Sequence, residues 1–599
     1  MNEYHTSLKS EVAPSSSRRS SRVFPGESDP HHSANVIIKF AESETDAENL
    51  NHCETEEKQR KKCLLCSFKS RQKFRGATSY FQDYCGSTSL HGLKYMGEAR
   101  RPLVERICWI LAFGLSIYAC SLVILKVWRK WENSPVIVSF ADSSTPVWQI
   151  PFPAVTICSE VKYRRNIYNY SYINQMLARE KDISSENRRK HEYKSLLCED
   201  PDFTDGASET IDIGAIQFFQ EAAPPCDDFF YCEWKGQFAR CCRELFRPIL
   251  TEEGVCYTFN MLATTQIFTN NMTIDGFNES FGLKHPRETE WSDWNAQDGY
   301  PRTAPIDTYP HRGPGAGASS GLHIYFKADP EDYDARCRTI GGFKVLLHNP
   351  SEFPRMSELF FRAPLNQDVV VSVKPNIMGT TNELQDYPSS RRRCLFQRER
   401  QLRFFTHYTQ RNCELECLVN TTLEVCHCMP FFMPSNNISL CGIGSIGCIH
   451  NVTEQLQHSE ILNAMKMDAG SGSGGCNCLP ACTELNYDAE TSMGEFDFEK
   501  IMAAFNITEN ESDYFGKKIG KLSIFFKEWQ FITSRRGELY GQTDFLANCG
   551  GLLGLFMGFS FLSLVEIIYF FTLRLFNNIK GATQDKDKRI SNYGDNKQQ

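Results

Sequence analysis

Two stretches of the chain are apolar without alternation. Residues 107–125 (ICWILAFGLSIYACSLVIL) hold no charge, and residues 545–573 (FLANCGGLLGLFMGFSFLSLVEIIYFFTL) hold one, Glu566. Each is long enough to cross a hydrocarbon core of ~30 Å. They predict two transmembrane helices, over 103–128 and 542–573. Between them the pattern changes. FPAVTICSE (152–160), GVCYTFN (254–260), GLHIYFKAD (321–329), GGFKVLLHN (341–349) and QDVVVSVKP (367–375) are rich in β-branched and aromatic residues and predict strands. SENRRKHEYKSLLC (185–198) and SEILNAMKMD (459–468) predict helices, and the Pro/Gly-rich 302–321 predicts a loop. There is no internal repeat. The predicted class is an α+β membrane protein.

A chain of 599 residues exceeds one ordinary domain, and a net charge of −8 carries no nucleic-acid footprint. Two spans put both ends on one side of a membrane. Basic residues do not say which, since Arg100, Arg101 and Arg106 before the first span are balanced by Lys126, Arg129 and Lys130 after it. Glycosylation sequons do. All eight, at Asn169, Asn271, Asn278, Asn420, Asn437, Asn451, Asn506 and Asn510, lie between the spans. Residues 129–541 are therefore expected outside the cell, with the tails 1–102 and 574–599 cytosolic and the spans in the plasma membrane. Trp128 and Trp131 suit an interfacial anchor. In the polar N-terminal tail, residues 18–21 (RRSS) have the form of a kinase site but read better as solvated chain. Cys63-x-x-Cys66 reads as reduced thiols rather than a metal or lipid site.

Eighteen of the 25 cysteines also lie between the spans, an even number in an oxidising compartment. Ten form a register: 394, 413, 417, 426, 428, 441, 448, 476, 478 and 482. Cys413 and Cys417 sit in a helix-like stretch, where four residues climb ~6 Å and return to one face. Cys476 and Cys478 are two apart, and two residues of strand climb ~6.6 Å, also on one face. An antiparallel helix and extended segment could be stapled twice, as Cys413–Cys478 and Cys417–Cys476. Cys394–Cys482 would close the outer rung, leaving Cys426, Cys428, Cys441 and Cys448 for the other end. Zinc would need thiolates in a reducing compartment, so no metal site is expected.

At this point the chain resembles the DEG/ENaC (degenerin and epithelial sodium channel) family over about 80–575. The ordered landmarks are His91-Gly92, FPAVTIC, GVCYTFN, the ten-cysteine register and Gly558-Phe559-Ser560. GAGASSGLHIYF and GFKVLLHNPSEFP are most like its insect pickpocket branch. The resemblance implies a trimer, homomeric or built with related subunits. Each extracellular domain would have palm, ball, finger, knuckle and a disulfide-rich thumb at about 394–482. It also implies the pairs Cys158–Cys256, Cys426–Cys448, Cys428–Cys441 and Cys232–Cys241. Cys198, Cys226, Cys337 and Cys242 remain, with open connectivity. Two departures weaken the case for simple proton gating. Arg392 stands where acid-sensing members carry a Trp that packs the thumb on the first span, and Asn548 stands where they carry an Asp.

The second span has its own physics. Ala547, Gly551, Gly554 and Gly558 fall on one helical face, suited to close helix packing or to lining a narrow pore. Twenty-nine helical residues would measure ~43 Å, so the segment must tilt or break, and Gly558-Phe559-Ser560 is the expected break. Lipid forbids freed carbonyls unless they face a water-filled lumen. In a trimer they would form an oxygen ring suited to a small cation. The resemblance makes Gly558, Phe559 and Ser560 the selectivity filter, Ala547 the gating position and Gly554 the pore-blocker (amiloride) site. Asn548 would lie just outside the pore. Glu566 is expected on the pore side, and His91-Gly92 in a re-entrant segment lining the lower pore.

The expected function is an amiloride-sensitive-type, sodium-selective, voltage-independent cation channel subunit. Its opening stimulus would be extracellular and chemical, osmotic or mechanical, in sensory or epithelial cells. Sodium is the permeant ion, with no cofactor and no catalytic constellation. Two alternatives are weighed. An ATP-gated two-pass trimeric receptor should show a lysine cluster, and a two-pass ectoenzyme should show a phosphate loop with nearby acids.

Overall fold

The structure, a computed structural model, describes residues 79–578 and 580 apart from 99, 134–135, 180–182, 199–206, 270–293, 435–437, 468–474, 506–513 and 515. The chain divides into two units, 1–84 and 85–599; only 79–84 of the first are described, so the architecture is that of the second. The tail features at 18–21, Cys63 and Cys66, and the sequons at Asn271, Asn278, Asn437, Asn506 and Asn510, lie outside the described residues. Asn169 caps the helix Tyr170–Ala178, its side chain accepting from Tyr172 N. Asn420 and Asn451 lie in the helices Gln410–Cys426 and Ile446–Met467.

The first apolar stretch is one helix, Leu103–Asn133, running past the predicted end at 128. Among its residues only Cys120 is buried, as befits a helix whose apolar side chains face lipid or another chain. The second stretch is two helices, Gln542–Met557 and Phe561–Tyr569, separated by Gly558-Phe559-Ser560.

Between the spans two sheets form the core. The larger runs in the order Val136–Phe140, Ser534–Glu538, Gln367–Thr380, Lys518–Phe526, Leu322–Ala328, Phe229–Trp234, Gln237–Ala239, with Glu484–Glu495 also paired to Gln367–Thr380. Leu322–Ala328 alternates buried and half-buried positions, the signature of a sheet with one covered face. The smaller sheet runs Phe361–Ala363, Phe343–His348, Ala154–Ser159, Gly254–Phe259, Phe246–Thr251. Phe343–His348 is buried throughout, so both of its faces are covered. The predicted helix at 185–198 is Ser185–Ser195, and that at 459–468 belongs to the longer Ile446–Met467.

The larger sheet fixes the spans. Val136–Phe140 follows the first span directly and Ser534–Glu538 leads into the second, and the two strands pair antiparallel with Val136 opposite Glu538. The helix ends are thereby held side by side at one sheet edge.

The ten cysteines of the register pair as Cys394–Cys482, Cys413–Cys478, Cys417–Cys476, Cys426–Cys448 and Cys428–Cys441. Cys413 and Cys417 lie on the helix Gln410–Cys426, capped by Thr409. The segment opposite departs from the expected strand. Cys476 and Cys478 are in irregular chain, and Asn477 between them sits at φ 46° in the left-handed region. The two sulfurs face one helix through a turn, not a pleat. Elsewhere Cys158 pairs with Cys256 and Cys232 with Cys241. The four cysteines left open pair as Cys198–Cys337 and Cys226–Cys242.

Candidate functional site

The chemistry of the second span is concentrated at its break. Gly558 adopts φ 65°, and its N–H closes the first half-helix on Gly554 O. This is the left-handed stop that glycine supplies without a Cβ penalty. Ser560 then opens the second half-helix: its hydroxyl accepts from Ser563 N, and its own N–H donates to Ser563 Oγ at 3.0 Å. A capping box thus satisfies donors that a membrane interior would leave bare.

A break also releases acceptors, the carbonyls of the last turn before it. Two are answered from elsewhere in the chain. His91 N donates to Met557 O at 3.0 Å, and Ser116 Oγ, on the first span, donates to Phe556 O at 2.7 Å. The expectation that freed carbonyls turn to a water-filled lumen therefore fails for these two, because protein donors lie within reach.

The His91-Gly92 turn is held on both sides. Gly92 sits at φ 89° against Trp109 and Phe113 of the first span, and Tyr95 stacks on Trp109 with ring centroids 4.6 Å apart. The His91 ring lies on Gly558, where an added Cβ would stand 2.5 Å from Nδ1. Just before it, Ser89 N and Ser89 Oγ each donate to Glu566 Oε2 at 3.1 Å, and Ser89 Oγ shares a 2.7 Å hydrogen bond with Ser563. The structure thus gathers His91, Gly92, Gly558, Ser560 and Glu566 into one assembly of the His91-Gly92 turn and the broken helix. Glu566 accepts from donors of its own chain.

The other positions stand apart. Ala547, Asn548 and Gly551 are exposed on the first half-helix, with Gly554 half-buried. A Cβ added at Gly551 would meet nothing within 4 Å, and one at Gly554 only Phe559 O at 3.7 Å. Asn548 donates to Asp544 O at 2.9 Å. The small-residue face is open in the single chain, free for another chain or for solvent.

At the opposite end of the spans, Phe545 stacks on Trp131 and meets Trp128 edge-on at centroid distances of 5.5 and 5.6 Å. The Arg391 guanidinium lies 4.3 Å above the Trp131 ring and donates to Trp131 O at 2.9 Å. Arg391 is three residues from Cys394, so the base of the disulfide ladder rests on the ends of both spans. Arg392, at the position expected to contact the first span, turns inward instead: it is buried, donates to Cys394 O at 3.1 Å and pairs with Glu399. Sequence reasoning missed Arg391 and Ser116. The basic run 391–393 was a signal for one, and a lone hydroxyl at the middle of an uncharged span for the other.

The sequence model of the family described as Amiloride-sensitive sodium channel matches residues 84–570. Pickpocket protein 28 of Drosophila melanogaster is 30% identical over 525 residues, covering 85% of this chain and 80% of its own. Sodium channel protein Nach of the same species is 24% identical over 528 residues, 85% of this chain and 90% of its own. The Bile acid-sensitive ion channel of Mus musculus is 22% identical over 498 residues, 82% of this chain and 87% of its own.

Proposed function

The chain belongs to the amiloride-sensitive sodium channel family, a family of ion channels and not of enzymes, and from that premise we propose that it is one subunit of a trimeric, sodium-selective, voltage-independent cation channel of the plasma membrane. Both tails are cytosolic in this reading, and the disulfide-braced domain is extracellular. The observation that carries it is the break at Gly558-Phe559-Ser560, inside an apolar span and closed by donors from the re-entrant turn and the first span. Lipid would not tolerate such a break on an isolated helix. Three copies meeting along Ala547, Gly551 and Gly554 would form a constriction leading to the filter.

The opening stimulus acts outside the cell. The thumb, clamped to the span ends through Arg391 and Trp131, carries displacement to the pore. The disulfides stabilise this domain by restricting the unfolded chain, typically by ~2–4 kcal/mol each.

A stimulus need not be known to test conduction. Ala547→Trp places a large side chain on the face where three helices would close, and the variant is expected to pass a standing current. Replacing external sodium by a bulky organic cation should abolish the inward component. Inward current that survives the replacement would refute sodium permeation. A surface-expressed but silent Ala547→Trp chain would refute the gating assignment of that residue.

A further inference from the structure

In an unbroken helix Phe556 O would accept from Ser560 N, and Met557 O from Phe561 N. At the break Ser560 N is committed to Ser563 Oγ, so Phe556 O loses its helical donor. Ser116 Oγ takes that place at 2.7 Å. The first span is uncharged around Ser116, and a serine in such a helix usually returns its proton to the carbonyl one turn back, here that of Ala112. Ser116 instead donates across the helix–helix contact, to a carbonyl two residues before Gly558. Met557 O is held by a different element, the His91 backbone. Two of the released carbonyls are thus pinned from two directions. The pin from the first span is a side chain, which evolution or mutation can remove without altering the backbone.

We infer that Ser116 is a positioning residue for ion selectivity: its hydroxyl holds the Phe556 carbonyl against the first span and so fixes the backbone entering the Gly558-Phe559-Ser560 turn. The inference rests on the reading of that turn as the filter. Without the hydroxyl, the Phe556 carbonyl is free to rotate toward the ion path or to draw in water, and either changes the oxygen field a passing cation meets. Movement of the first span relative to the second would break the same bond. Ser116 therefore also ties the state of the filter to the position of the first span.

The test uses the full-length Ala547→Trp channel and reads reversal potentials in sodium, lithium and potassium. Ser116→Ala and Ser116→Val are expected to change a permeability ratio about five-fold, the factor one net hydrogen bond is worth. Ser116→Thr, which keeps the hydroxyl, is expected to restore the parent ratio. A helix-packing role alone would alter surface level or current size and leave reversal potentials in place. Unchanged reversal potentials in Ser116→Ala, at parental surface labelling, overturn the inference. If the alanine chain does not reach the surface, Ser116→Cys, which keeps the volume and weakens the donor, is read by the same criterion. Ser560→Cys separates the two levels. A shift there without one at Ser116 defeats only the positioning role, whereas no shift at either residue defeats the filter reading itself.

Discussion

Replacing Gly558 with alanine is expected to silence the channel while leaving its ectodomain folded and its surface level near normal. The direction is the informative part. Within a continuous helix alanine is better than glycine by ~1 kcal/mol, so an unbroken second span would tolerate or welcome the change. At φ 65° an L-residue instead costs ~1–2 kcal/mol. The new methyl would also stand 2.5 Å from His91 Nδ1, and the whole ring is close, with Cγ 2.8 Å away. Either Gly558 leaves the left-handed region and the two half-helices fuse, or the His91-Gly92 turn is expelled and Met557 O loses its donor. Both outcomes destroy the turn we propose shapes the ion path. We expect current in the Ala547→Trp background to fall at least ~10-fold, the equivalent of ~1.4 kcal/mol. Adding His91→Ala should recover part of it, by removing the ring but not the backbone strain. Parental current from Gly558→Ala would show that the break is not needed for conduction.

What the sequence disclosed and what it hid follow from the range of the interactions. The break was legible because its causes are local: four glycines and a length beyond the bilayer. The clasp on it was not, because His91, Ser89 and Ser116 reach it from far along the chain and their side chains have no periodicity to mark them. Glu566 shows the same limit. Spacing from Gly558 put it on a plausible pore face, but its Ser89 partner comes from the segment just before His91. Strands divide likewise. Leu322–Ala328 was visible, whereas Glu484–Glu495 (ELNYDAETSMGE) was passed over, although Leu485, Tyr487, Ala489 and Met493 alternate with polar residues. It is extended because it pairs with Gln367–Thr380 along its whole length, and its far half is exposed. The rungs of the cysteine register were readable as rises on two segments, although one segment proved to be irregular chain.

Glu253 was wholly hidden, and it carries the second large effect. It sits in the tight turn between Phe246–Thr251 and Gly254–Phe259, apparently an ordinary polar hairpin tip. The fold buries it among three cations. Lys162 Nζ is 2.7 Å from Oε2, Lys344 Nζ is 2.5 Å from Oε1, and Arg338 pairs with Oε2. Arg338 also donates to Leu197 O at 2.8 and 3.1 Å, and the disulfide Cys198–Cys337 joins the neighbours of those two residues. One carboxylate therefore ties together the chain just after Ala154–Ser159, the chain just after the Ser185–Ser195 helix and the Phe343–His348 strand. Burial alone would raise its pKa, but Lys162 and Arg338, helped by Lys344, overcome that and hold it down at about 2. The unfolded chain, with an ordinary carboxylate, takes up a proton at higher pH than the folded one. Between the ordinary carboxylate range and pH 2 the unfolded state thus binds more protons, and stability contributed by Glu253 is lost as pH falls through that window. Glu253→Gln removes the charge and leaves three buried cations facing an amide. Breaking a buried pair in this way costs about 3–5 kcal/mol, enough to consume much of a domain's margin. The expected result is a sharp drop in surface level and in the thermal midpoint of the solubilised full-length protein. The remaining protein should show a flatter acid limb than the parent. A midpoint within a degree or two of the parent's would mean that water or mobile side chains already screen the cluster, and that the junction is not held by charge.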